Sequence, residues 1–441
     1  MIQSLLIANR GEIAVRVIRC CRQMGIRSVI AYSQADKDSL PVRMADDRVC
    51  VGPPPARDSY LNVRNLVTAA VLSRCDAIHP GVGFLAENPD FAREVRDAGL
   101  IFVGPDPQVI ELLGDKIRAK RSASDTGIPV IPGSDGSVED AAAALAAANK
   151  IGYPVIVKAA AGGGGKGMRI VRSGNELADI LAIASHEAEK AFSDGTMYLE
   201  KYLENPRHVE IQIVADRKGN VVHLGERDCT VQQNHQKLVE ESPSIAVDGT
   251  LRAKMGNDAV RLLKTLGYTG AGTVEFLVQK GKHYFMEVNA RVQVEHPVSE
   301  MVTGVDIIRQ QILAASDQPL DVRQEDVLLS GYAVECRINA RSAGKITRLH
   351  LPGGYGVRMD TFLFAGYSVP PWYDHLVAKL IVSGRSRLEG IRRMEAALAE
   401  LVIEGIATNI ETQKKIFAHP AFRKGDYGTG FLGEVQKEGI L

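Results

Sequence analysis

The stretch Thr273–His296, TVEFLVQKGKHYFMEVNARVQVEH, leaves a folding chain little freedom. Val274, Phe276 and Val278 alternate with Glu275, Leu277 and Gln279. Beyond Lys280-Gly281-Lys282, Tyr284 and Met286 alternate with Phe285, Glu287 and Asn289. Period-two alternation around a three-residue loop with a central Gly predicts a β-hairpin. A turn centred on Gly281 sets Glu275 directly opposite Glu287, on one face. Like charges directly opposite destabilise a sheet. Two readings follow. Either a divalent cation offsets the repulsion, or the register is off by one and one Glu is solvated. An oxygen-only donor set of two Glu and the Asn289 amide suits Mg²⁺ or Mn²⁺ rather than zinc.

The rest of the chain is ordinary in bulk. Its 441 residues carry 53 basic and 53 acidic side chains, a formal net charge of zero. Such balance argues against non-specific nucleic-acid binding. No apolar run reaches the length of a membrane span. The start, MIQSLLIANRGEIAVRV, lacks the basic leader of a signal peptide. The six cysteines form no C-x-x-C, which fits a reducing cytoplasm and no zinc or disulfide framework.

Residues 2–8, the turn Asn9–Glu12, a helical pattern over Ile13–Met24 and the strand Ser28–Tyr32 form a βαβ unit, hence a parallel sheet. The unit repeats through Asp76–His79, the loop Pro80–Phe84, a helix around Asp90–Ala98 and the strand Ile101–Gly104. G-x-G-x-x-G is absent, so the scaffold is Rossmann-like without a dinucleotide fingerprint. Asp115–Thr126 is a basic helix, and the Pro/Gly-rich Ile128–Gly136 reads as a boundary or hinge.

Tyr153–Lys158 and Arg169–Val171 read as strands joined by Ala161–Met168, AGGGGKGM. Such a run is a flap whose backbone N–H groups can wrap phosphates, or a flexible hairpin tip. It is no Walker A motif, because Gly167 and Met168 follow Lys166 where Ser or Thr is needed. Met197–Leu203 and Val209–Ala215 alternate as strands. Val231–Lys237 reads as a polar loop on which His235 and Lys237 point one way, toward an anion. Asp258–Leu266 reads as a helix. Arg291, Gln293 and Glu295 share one face if their segment is extended. Arg suits bidentate recognition of a planar oxyanion, and a neighbouring carboxylate suits a general base. From Tyr332 onward, β-like runs and the helix Arg387–Leu401 read as a third, mixed domain, with Arg337 and Glu335 on one face of its first strand.

A phosphate-wrapping Gly flap, two Glu on a late hairpin and no P-loop resemble the ATP-grasp layout. The match is closer still. IANRGEIAVRVIR, AIHPGVGFLAEN, GGGGKGMR, EKYLENPRHVEIQ, ERDCTVQQNHQK, GAGTVEFLV, EVNARVQVEHPVSEM, AVECRINA and VPPWYD resemble the biotin carboxylase subunits of acetyl-CoA carboxylase and other biotin-dependent carboxylases, over about residues 2–435. The resemblance implies an α/β and α+β chain in three parts. These are a Rossmann-like N-terminal domain (1–114), an ATP-grasp domain with a mobile Gly-rich lid (115–330, lid about 131–203) and a mixed α+β C-terminal domain (331–441).

It also implies roles. Lys116, Lys158, His208 and Lys237 would contact ATP phosphates or the nearby anion, with Gly162, Gly163, Gly164, Gly165, Lys166 and Gly167 closing over the phosphates. Glu200, Lys201 and Leu203 would hold adenine, Leu277 would pack on it, and Gln232 and His235 would lie near the ribose. Glu275 and Glu287 would bind Mg²⁺ or Mn²⁺ beside Asn289. Arg291, Gln293 and Val294 would hold bicarbonate, Glu295 would deprotonate it, and Arg337 would stabilise the biotin enolate. No Ala-Met-Lys-Met occurs, so biotin would arrive on a separate biotin carboxyl carrier protein. Carboxyltransferase subunits would consume the product of a cytoplasmic homodimer.

The chain departs from the family pattern. Only Arg341-Ser342-Ala343 separate Asn339 from Gly344, where a longer Asp-Pro-containing segment is usual. Val82, Gln233-Asn234 and Ala290 stand where Tyr, two Arg and Thr are frequent. Rival readings are a subunit of a two-subunit pyruvate carboxylase, an ATP-grasp carboxylate–amine ligase and an ATP-sensing regulatory protein.

Overall fold

The computed structural model describes residues 1–138, 140–161, 167–234 and 236–439. Strands β1 (Ser4–Ile7), β2 (Arg27–Ser33), β3 (Asp47–Gly52), β4 (Ala77–His79) and β5 (Ile101–Phe102) form a parallel sheet in the order β3-β2-β1-β4-β5. All four residues of β1 are buried, as a strand covered on both faces requires. The helix Gly11–Met24 buries Ile13, Val17 and Ile18 and stops at Gly25, which has φ 69°. The loops after β1 and β4 are tied together. The Asn9 amide donates to the carbonyls of Pro80 and Val82, and a Cβ on Gly81 (φ 68°) would stand 2.7 Å from that amide nitrogen.

Strands β6 (Val155–Ala159), β7 (Met168–Val171) and β8 (Met197–Lys201) form a small antiparallel sheet, β7-β6-β8. Helices Ala141–Ile151 and Leu177–Phe192 cover it through a core of Ala144, Ala148, Ala184, Ala188 and Val157. The Gly-rich run joins β6 to β7, and its residues 162–166 lie outside the described residues.

The largest sheet has eight strands, all antiparallel. They include β9 (Arg207–Ala215), β10 (Val221–Gln233), β11 (Gln236–Ser242), β12 (Gly270–Gln279), β13 (Lys282–Asn289) and β14 (Tyr332–Asn339). The order is β13-β12-β9-β10-β11-β14, followed by the strands Leu376–Gly384 and Val357–Thr361. The run from Tyr332 joins the central sheet through the pairing of β11 with β14.

Three local expectations are corrected. The hairpin turn has two residues, Lys280 (φ 51°) and Gly281 (φ 71°), a pair of positive φ values that matches the twist of the flanking strands. Gln279 pairs with Lys282 and Phe276 with Phe285. This register alone would set Glu275 against Met286. A bulge at Met286 absorbs one residue and restores Glu275 opposite Glu287. Of the run expected as a loop, Val231–Gln233 ends β10 and Gln236-Lys237 opens β11, with Gln232 bonding His208 and Lys237 bonding Glu210 across the sheet. The helix expected at Asp258 starts at Gly249, because Asp248 caps the Leu251 amide. No helix among the described residues is long and apolar enough to cross a membrane.

Candidate active site

Register builds the site. Glu287 of β13 pairs with Glu275 of β12, Glu275 with Glu210 of β9, and Glu210 with Arg227 of β10. Three carboxylates and one guanidinium thus form a row across four strands, and Glu210, Glu275 and Arg227 are fully or almost fully buried. His208, Glu210 and Gln212 alternate with Val209, Ile211 and Ile213, so β9 turns its apolar face to the core and its polar face to this row.

Two cations hold the row together. Arg227 donates from Nε to Glu210 (2.6 Å), from Nη1 to Gln212 (2.5 Å) and from Nη2 to Gln293 (2.7 Å). Lys237 reaches in from β11. Its three donors meet Glu210 (2.6 Å), Glu275 (2.9 Å) and Glu295 (2.7 Å). Burial disfavours its charge, but these three carboxylates hold its pKa well above the usual range. The converse holds for the acids. Burial would raise Glu275 and Glu295, yet Lys237 with His208 keeps Glu275 well below the usual carboxylate range. Lys237, Arg337 and Arg227 do the same for Glu295. Glu287 goes the other way: burial and the Glu275 charge push it up.

The pairing of Glu275 with Glu287 expected from the hairpin is present. Glu275 also accepts from His208 Nε2 (2.7 Å), Asn289 (2.8 Å) and Gln293 (2.8 Å). Among the described residues, the cation paired with Glu287 is Lys116 at 3.9 Å. Two acidic clusters elsewhere, His208–Glu210–Glu275 and Glu210–Cys229–Glu295, bring ligand-type atoms within 4.8 Å of one another. Both surround the Lys237 ammonium, which already supplies a positive charge there. The Glu275–Glu287 edge, where among the described residues only the distant Lys116 answers the repelled carboxylate, is the place that could hold a metal ion. Asn289 fits less directly, because its oxygen accepts from Arg291 Nη2 (3.2 Å).

The Arg291–Glu295 segment is a bend and turn rather than a strand, since Glu295 (φ −82°, ψ 9°) opens the helix His296–Thr303. Arg291 therefore leaves the face shared by Gln293 and Glu295 and pairs with Glu87 (2.8 Å). Val294 is half-buried, and its carbonyl accepts from Lys379 (2.8 Å), a fully buried lysine that also pairs with Glu12 (3.0 Å). Arg337 bridges Glu295 (3.0 Å) and Glu240 (2.6 Å). Gln232 donates to His208 Nδ1 (2.7 Å), and half-buried Leu277 pairs across strands with His208.

A second cluster lies on the small sheet. Glu200 takes Lys120 on one oxygen (2.7 Å) and Lys158 on the other (2.5 Å). Lys116 and Lys120 stand one turn apart on the helix Lys116–Asp125, which Asp115 caps through the amides of Ile117 and Arg118. Lys201 Nζ is spent on the carbonyls of Gly152 and Tyr153, and Leu203 follows β8 half-buried. Gly167 (φ 67°) lies against Ala159. Gly162, Gly163, Gly164, Gly165, Lys166 and His235 lie outside the described residues.

Sequence reasoning passed over Glu210, Arg227, Glu87, Lys120, Lys379, Glu12 and Glu240. The strict alternation His208-Val209-Glu210-Ile211-Gln212-Ile213 was the available signal for Glu210. For Lys379, a single Lys inside LVAKLIVSG was the only hint.

Residues 115–323 match the family described as carbamoyl-phosphate synthase L chain, ATP binding domain. With the lysine-bearing small sheet and the carboxylate-bearing large one, this defines an ATP-dependent ligase. Residues 1–110 match the biotin carboxylase N-terminal domain, and residues 333–434 match the biotin carboxylase C-terminal domain. The chain is 52% identical over 442 residues to Biotin carboxylase 1 of Bacillus subtilis, covering 98% of each. A biotin carboxylase–β-γ-ATP complex from Campylobacter jejuni superposes with a TM-score of 0.96 at 46% identity, over 98% of this chain and 99% of that one. The biotin carboxylase domain dimer of Hydrogenobacter thermophilus 2-oxoglutarate carboxylase, in complex with MgADP, ADP and bicarbonate, gives 0.95 at 45% identity, over 99% and 98%. The chain belongs to the biotin carboxylase family.

Proposed function

We propose that the protein carboxylates biotin on a separate carrier protein, using ATP and bicarbonate through carboxyphosphate. The observation that carries this is Glu295, a buried carboxylate gripped by two cations, Lys237 and Arg337, beside the Glu275–Glu287 edge. In that grip Glu295 is a weak base. Anionic substrates that draw Lys237 and Arg337 toward themselves raise its basicity when it must accept the bicarbonate proton. Gln293 and Val294 border the same spot, with Arg291 adding charge from the Glu87 side. Arg337, once turned from Glu295, holds the enolate oxygen of biotin, whose ureido proton passes to phosphate.

Glu275 and Glu287, with Asn289 once its oxygen is released from Arg291, would hold Mg²⁺ or Mn²⁺. Held there, such an ion would supply charge neutralisation at the transferring phosphoryl group. Lys116, Lys158 and His208 border the phosphate path, and Glu200, Lys201, Leu203, Leu277 and Gln232 line the side assigned to the nucleoside.

We read the chain as three parts meeting near 114 and 330, supported by the bounds of the three family matches. We assign the product to an acetyl-CoA carboxylase, with a homodimer, a biotin carboxyl carrier protein and carboxyltransferase subunits in the cytoplasm. The dimeric relative supports the oligomer, and six free cysteines fit a reducing compartment. ATP hydrolysis is measured with Mg²⁺ and bicarbonate, with and without free biotin. Stimulation by biotin supports the reading. ATP binding without stimulation removes the biotin assignment.

A further inference from the structure

Beneath Arg337 lies a carboxylate that the proposed chemistry leaves unused. Glu240 of β11 is fully buried and pairs in register with Glu335 of β14, also fully buried. Among the described residues, Glu240 Oε2 and both Glu335 oxygens have no hydrogen-bond partner. Two carboxyls set opposite each other without cross-bonding partners are costly in a dry sheet. Burial pushes both up, Glu335 well above the ordinary range and Glu240 to about 7, so Glu240 is the first of the two to ionise. What Glu240 does have is one short bond, from Arg337 Nε at 2.6 Å.

That bond sits at a particular place on the guanidinium. Nε is the donor nearest the stem, and a carboxylate there fixes the plane of the fork while leaving the terminal nitrogens to other partners. In this structure one of them, Nη2, reaches Glu295 at 3.0 Å. The backbone below is held as well. The Arg337 carbonyl accepts from Asn409 (3.0 Å) and Gln413 (2.8 Å), so the stem starts from a fixed point.

We propose that Glu240 is a positioning residue for Arg337, anchoring its Nε so that the terminal nitrogens face the oxyanion formed on biotin. The proposal rests on the biotin-carboxylating reading of the site. Glu240 touches neither the phosphate path nor the Glu275–Glu287 edge, so its effect falls mainly on the biotin-dependent step, with a smaller one passed through Arg337 to Glu295. Without the anchor the fork rotates freely about its stem, and the enolate loses a preorganised partner.

The test is a double-mutant cycle on the full chain. Glu240→Gln is nearly isosteric and removes one buried charge. It is expected to lower biotin-dependent kcat about 10- to 100-fold, a clearly larger loss than in the slow biotin-independent ATP cleavage, while KM for ATP stays within about twofold. In an Arg337→Met background the same change is expected to cost nothing further, because Glu240 acts through Arg337. Should Glu240→Gln fail to fold, Glu240→Asp carries the same comparison, with a smaller loss. Equal loss of both reactions, an undiminished penalty in the Arg337→Met background, or no loss at all overturns the proposal. Wild-type protein is measured alongside. Absence of biotin stimulation there overturns the underlying reading and the Glu240 role with it, whereas stimulated wild type with an indifferent Glu240→Gln sinks the Glu240 role alone.

Discussion

The two charged clusters, on the small sheet and on the large one, are balanced in opposite senses. On the small sheet, Glu200 faces two lysines and both its oxygens are taken. On the large sheet and the turn behind it, Glu210, Glu240, Glu275, Glu287 and Glu295 face Arg227, Lys237 and Arg337. One side carries surplus positive charge and the other surplus negative. A triphosphate with its metal ion is the kind of ligand that answers both, with phosphate oxygens toward the lysines and the cation toward the carboxylates. The asymmetry explains why Glu287 is pushed up while Glu200 is held below its usual range: burial acts on both, but Glu200 has Lys158 and Lys120 to outweigh it and Glu287 has Glu275 to worsen it.

The comparison can be broken most severely at Glu295. Glu295→Gln is expected to reduce bicarbonate-dependent turnover by about 10²- to 10⁴-fold with ATP affinity unchanged, read by steady-state kinetics beside nucleotide titration. Loss of both together would make Glu295 a structural residue. Next comes Arg227, the cation that closes the row on β10. Arg227→Met strands Glu210, Gln212 and Gln293, and denaturant titration should show about 3–5 kcal/mol of destabilisation. A loss below about 1 kcal/mol would mean that the row does not need its guanidinium.

A pair of variants with opposite signs sharpens the contrast. Glu200 has a lowered pKa, so its contribution is present above the unfolded value and lost as pH falls. Glu335 has a raised pKa, so its ionisation costs stability as pH rises above the unfolded value. At about pH 8, Glu200→Gln should therefore destabilise the free protein and Glu335→Gln should stabilise it, each by roughly 1–3 kcal/mol. The Glu335→Gln gain should vanish below about pH 4.5. Changes of the same sign would contradict the asymmetry. The smallest effect is expected at Lys120. Lys120→Met leaves Lys158 on Glu200 and should raise KM for ATP about fivefold, some 1 kcal/mol, with kcat unchanged.

The legible and illegible parts of this molecule divide along the same line. Period-two patterns exposed β9, β12 and β13, and the Glu275–Glu287 pairing followed from the hairpin. It did so because two departures from the assumed geometry cancel, a turn shorter by one residue and a bulge at Met286. Buried charge was the obstacle elsewhere. Val231–Lys237 reads as loop because its side chains are mostly polar, and only pairing across the sheet, Gln232 with Lys237 and Gln233 with Gln236, makes strands of its two ends. Glu210 and Arg227 went unnoticed for the same reason: each looks like a solvated side chain until the register supplies its counter-charge. The continuation of the central sheet through β14 depends on pairing between residues about a hundred positions apart, such as Glu240 with Glu335, which no local pattern encodes.

The claim that the carboxylate surplus on the large sheet exists to meet a cation is open to direct measurement. Mn²⁺ binding, followed by its electron paramagnetic resonance signal in the presence and absence of ATP, can be compared between wild type and Glu287→Gln. The account predicts that the variant loses at least about tenfold in Mn²⁺ affinity with ATP present, while metal-free ATP binding is unchanged. Equal Mn²⁺ affinity in the two proteins would contradict it.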